Sequence, residues 1–124
     1  MAVLGVASGE ASANLQTAQT GNADSTNTIF RGGRVLAAGA LVITSAIGAT
    51  PTVTVNILGS VDGTNFFNVP YALVATPSTF VLTAITITTA VTTTYLFQPN
   101  QPWRYLKLNM SANTNVTLTS DYYP

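Results

Sequence analysis

The chain has 124 residues, no cysteine and no histidine, and only 6% of it is charged, for a formal net charge of +0, against about 25% charged residues in an ordinary soluble domain. The length suits one domain with a core of useful size. Without cysteine there is neither a disulfide framework nor a thiolate metal site, without histidine the commonest general base is missing, and Arg31, Arg34, Arg104 and Lys107 do not make the basic face that nucleic-acid binding needs.

Residues 1–30 differ in material from the rest. "SGEASANLQTAQTGNADSTNT" is small and polar with no sustained period. Little apolar surface is available there to offset the entropy of ordering, so a flexible or extended arm is expected, with an ordinary first strand and loop as the alternative. Val3, Leu4, Val6 and Leu15 are its apolar points and its candidate partner contacts. The opening "MAVLGVASGEASA" has no positive n-region and only a very short apolar run, so no signal peptide is expected. Val35–Ala49 is weakly apolar, but it is shorter than the roughly 20 residues of a spanning helix and contains Thr44 and Ser45, so no membrane span is expected.

From residue 31 onward the text is β. Val53, Val55 and Ile57 share one parity against Thr52, Thr54 and Asn56, the period of a half-buried strand. Residues 79–88 and 92–98 are rich in β-branched and aromatic side chains. "WRYLKLNM" (103–110) alternates again, and 115–123 repeats the pattern with Val116 and Leu118. Turn signals fall at Gly48–Pro51, Asp62–Gly63, Thr76–Ser78, Pro99–Pro102 and Ser111–Thr114. The expectation is an all-β domain over residues 31–124: an antiparallel β-sandwich or jelly roll of six to eight strands, preceded by an extended N-terminal arm.

Little in the chain reads as chemistry. Glu10, Asp24, Asp62 and Asp121 are too few and too scattered to suggest a carboxylate pair. Lys107 lies mid-strand, and Gly32–Gly33 is too short for a phosphate loop. No catalytic, cofactor-binding or metal-binding residue is expected. The two N-glycosylation patterns at Asn109 and Asn115 are what a Thr- and Asn-rich chain produces by chance. "GSVDGTNFFNV" (59–69) offers Asp62, Asn65 and Asn68 as oxygen ligands but lacks a second carboxylate for calcium. Hairpin chemistry explains the same residues, with Asp62–Gly63 supplying a φ > 0 turn and Asn65 tolerating a left-handed position. Asp62, Gly63 and Asn65 are therefore expected to be a structural turn.

"GSVDGTNFFNV" also resembles the S-x-D-G-x-N-[WF] hairpin of discoidin-like jelly rolls and of small β-sandwich proteins in tailed-phage virions. "WRYLKLNM" is similar to the R-Y-[LVI]-[RK]-[LVI] strand that follows some forty residues later in both groups. The discoidin-like branch implies loops that bind sugar or lipid, often with a disulfide, and the missing cysteines weaken it. The phage branch implies a capsid decoration (cement) protein on the outer surface of a virion, with the major capsid protein as partner. A carbohydrate- or receptor-binding module of a tail or fibre is the alternative, for which Trp103 and Tyr105, on one strand face, are the candidate platform or partner contacts. Neither resemblance carries over a functional residue.

Charge sharpens the expectation of partners. Between Val35 and Trp103 the one charged residue is Asp62. Solubility normally leans on mixed charge, and charge is depleted where proteins meet. A homo-oligomer is expected, a trimer before a dimer.

Overall fold

A computed structural model describes residues 2–5, 12–31 and 39–124, and among them there is strand but no helix. The strands are β1 (Ala2–Gly5), β2 (Ala13–Gln19), β3 (Asn27–Phe30), β4 (Ala40–Ser60), β5 (Phe67–Asn68), β6 (Tyr71–Leu73), β7 (Ile85–Ile87), β8 (Thr92–Phe97) and β9 (Tyr105–Tyr123). All pairings are antiparallel except that of β1, which adds to β3 in parallel. The all-β expectation holds, and no helix among the described residues is long and apolar enough to cross a membrane.

Two strands dominate. β4 has 21 residues and β9 has 19, and they pair from Ala40↔Tyr123 to Ser60↔Tyr105. The register shifts between Ile47 and Thr52 and again before Thr54, which places two of the expected turns, Gly48–Pro51 and Ser111–Thr114, inside continuous strands. They bend the ribbon instead of ending it, because extra residues in one strand of a pair kink it and raise its twist. Thr50, Ala112 and Asn115 hold left-handed φ values of 44°, 51° and 53° there.

Beyond the corner the sheet faces itself. One half carries β2, the second part of β9, the first part of β4, β8 and β6; the other carries β1, β3, the first part of β9, the second part of β4, β5 and β7. Alternation aims Leu41 and Ile43, then Val53, Val55 and Ile57, into one core, where Leu106, Leu108 and Met110 meet Val116, Leu118 and Tyr122. Gln16 of one half brings its Nε2 to 3.6 Å from Met110 Sδ of the other. The two halves are the layers of a sandwich.

The polar N-terminal segment is built into that sandwich. β2 lies along β9, and Leu15 and Ile29 are buried with the core. Asn14, Gln16, Thr28 and Ser25 carry the polar sequence, and their side chains find neighbours: Gln16 Nε2 donates to Ser120 Oγ though its Oε1 accepts nothing among the described residues, Asn14 Nδ2 donates to Asp121, and Leu108 N donates to Ser25 Oγ. Residues 12–30 thus run as strand, loop and strand along β9. Paired polar groups, rather than apolar periodicity, hold this segment in place.

Candidate functional site: the turn end and a charge-free margin

The Asp62 turn closes the hairpin from β4 to β5, with Leu58 opposite Asn68 and Gly59 opposite Phe67. Asp62 Oδ1 accepts from Thr64 N and Asn65 N, both at 2.8 Å, and from Ser60 Oγ at 2.9 Å, while Oδ2 accepts from Asn65 Nδ2 at 2.8 Å. Those donors, the backbone amides of Asn65 and Thr64 first, hold the carboxyl far below the ordinary carboxylate range. Gly63 sits at φ +81°. A Cβ there would stand 3.2 Å from the Tyr105 ring. Asn65 takes no left-handed φ; its part is to donate to Asp62. The carboxylate is satisfied within its own turn, and among the described residues no group of three acidic, His or Cys side chains could hold a metal.

Behind the turn lies an aromatic cluster. Trp103 packs on the core and on Phe67, ring centroids 6.3 Å apart, and a Cβ at Gly59 would strike Trp103 at 2.8 Å. Tyr105 tilts against Phe30 at 4.9 Å. Both are half-buried, so they wedge the turn against β9 more than they present a platform; Phe67, 60% exposed, is the ring that faces out. Lys107 places its ammonium 4.1 Å over the Phe66 ring and 2.8 Å from Asp24 Oδ2. Burial alone would raise the Asp24 carboxyl, but hydrogen bonds from Lys107 and Asn109 and the lysine charge outweigh it and hold it lowered.

The other expected partner contacts scatter. Leu15 is in the core and touches no solvent, because β2 turns that side inward. Val3 is exposed at the sheet edge. Leu4 pairs through its backbone with Ile29, its side chain lying outside the described residues, as does Val6 entirely.

A different surface stands out. Residues 63–103 contain no charged side chain. Within that span five aliphatic side chains, Leu73, Val74, Val81, Leu82 and Val91, are exposed, and with Phe67 they make six of the ten large hydrophobic side chains exposed among the described residues. Tyr71 exchanges backbone hydrogen bonds with Val81, and Thr76 and Thr79 close the loop between them, so four of the five sit on one short projection. Beside it a cleft of about 410 Å³ is lined by Leu73, Val81, Ala84, Ile85 and Tyr95, with Tyr71 also in its wall. Tyr71 and Tyr95 meet edge to face at 5.5 Å, and burial pushes the Tyr95 phenol upward, so it stays neutral. A second cleft, about 360 Å³, lies at the bend of the ribbon beside Ile47, Gly48 and Asn115. The sequence signal for the first surface was the missing charge; which aliphatics would be exposed was not readable, since buried and exposed ones alternate without a long period.

No family model, curated protein or solved structure matches this chain.

Proposed function

We propose that this protein is a structural component of a virus particle: a decoration (cement) protein that binds the major capsid protein on the outer surface of a phage head, as a small homo-oligomer and a trimer before a dimer. It has no catalytic role in this reading and needs no cofactor. The observation that carries it is the exposed, charge-free surface over residues 63–103, with aliphatic side chains standing out from a threonine-rich field. Such a surface suits adhesion to other protein. It lacks the basic charge for nucleic acid. Attachment would be the sum of many weak contacts repeated by symmetry, with interfaces of about 1,200 Å² or more at each site.

The test is to mix the purified chain with head shells that lack it and pellet them. Saturable co-sedimentation, with shells then resisting heat or osmotic shock at higher stress, supports the reading. A chain that stays in the supernatant at micromolar concentration defeats it. The tail or fibre reading then moves ahead, with exposed Phe67 beside Trp103 as its sugar-facing feature.

A further inference from the structure

Among the described residues the sandwich is open along one side. β7 pairs with β4 and has no strand on its outer side among the described residues. β6 covers only Tyr95–Phe97 of β8, so Thr92–Thr94 likewise has β4 on one side and no strand on the other. These two bare edges belong to opposite layers. The cleft lined by Leu73, Val81, Ile85 and Tyr95 lies between the layers on that side. Bare edges normally carry lysine, proline or a bulge that discourages pairing. Here the edge residues are Ile85, Thr86, Ile87, Thr92, Thr93 and Thr94, and none of them discourages it.

We infer that this margin, made of the 73–82 projection, β7 and the Thr92–Thr94 part of β8, is a subunit interface occupied by the same margin of a second copy of this chain. Backbone chemistry and charge both select that occupant. A row of free N–H and C=O groups is matched by another strand edge, and the two unlike edges let β7 of one copy lie beside β8 of the next. Where its rotation divides a full turn, such a head-to-tail contact closes into a ring that leaves no edge open. A charged partner would have to strip water from its charges with no counter-charge in residues 63–103 to meet them. A second copy brings only aliphatic and hydroxyl groups to the contact. The cleft seats an aliphatic knob, and Val74 and Leu82, neighbours of the cleft-lining Leu73 and Val81, project such knobs beside it.

This inference rests on the homo-oligomer part of the proposed function and is independent of capsid binding. The experiment is light scattering on the full chain at micromolar concentration, with Leu82→Lys and Val91→Lys as interface variants and Ile47→Lys, exposed at the bend, as control; circular dichroism reports folding. The expected result is an oligomer for the native chain and for the Ile47 variant, and folded monomers for the other two. An equimolar mixture of Thr86→Cys and Thr92→Cys chains, oxidised, is expected to give a cross-linked heterodimer well in excess of the two self-linked species combined, which random pairing would only equal; with no native cysteine the reading is clean. A monomeric native chain, or folded lysine variants that remain oligomeric, overturns the inference. If the lysine variants unfold, absence of the heterodimer overturns it. An oligomer that obeys these variants yet ignores head shells leaves the inference standing and sinks the capsid reading.

Discussion

Gly63 is the one left-handed glycine among the described residues, and a side chain there would press on the Tyr105 ring. Gly63→Val is expected to lower stability by roughly 1–3 kcal/mol, the cost of a β-branched residue at positive φ, read from chemical denaturation. Asp62→Asn keeps one acceptor oxygen for the turn amides and loses the other, so at neutral pH it should already lack the stability that acid removes from the native turn, a modest loss for so exposed a group. Its effect on pH dependence should be plain. A carboxyl whose folded pKa is depressed contributes stability that is complete above its unfolded value, about 4, and is lost as the pH falls below it. The native melting temperature should therefore drop between pH 5 and pH 2, and more steeply than that of Asp62→Asn, which keeps the share of Asp24. Calcium should shift neither melting curve; a calcium-dependent rise that disappears in Asp62→Asn would return the turn to the metal-binding class.

Among the elements, the two long strands and the N-terminal pair teach the most. Ala112 at φ 51° holds a left-handed backbone without being glycine. Ala112→Gly should accordingly stabilise by about 0.5–1 kcal/mol in a thermal melt, the reverse of the usual sign for that exchange in a strand. Leu15 is fully enclosed in β2, so Leu15→Ala should cost about 2–5 kcal/mol. Deleting residues 2–28 removes β2 with it and bares one edge of β9; the shortened chain should aggregate or unfold, whereas removal of residues 1–11 should leave a cooperative melt. Parity made β9 and the second half of β4 readable in the sequence, and Asp-Gly made the turn readable. The fusion of segments across Gly48–Pro51 and Ser111–Thr114 was not, because Gly, Pro and Asn mark a corner and a chain reversal alike. β2 was obscured for another reason: Gln16, Ser25 and Thr28 are buried through hydrogen bonds, and a pattern of apolar residues is blind to such burial.

Seen whole, the molecule divides its labour between an inside where an apolar core is joined by buried polar groups, Gln16, Ser120 and Arg31 among them, and an outside that is nearly without charge. The neutrality was plain from composition, while the place where it matters, the open side between β7 and β8, depended on pairings that no local pattern encodes. The ribbon of β4 and β9 has one more consequence. It belongs to both layers at once and joins residue 40 to residue 123, so neither layer is a separate folding unit. Almost none of its pairing is local, and chains dominated by distant contacts fold slowly, in about milliseconds to seconds, after paying the loop-closure entropy first. Apart from the slower phases that its six prolines add, refolding from denaturant should thus be one main phase at the same rate by tryptophan fluorescence and by far-ultraviolet dichroism. In hydrogen exchange, amides of Leu41 and Ile57, on either side of the bend, should open together with one free energy. Two distinct opening energies would mean that the bend is a hinge between independent halves.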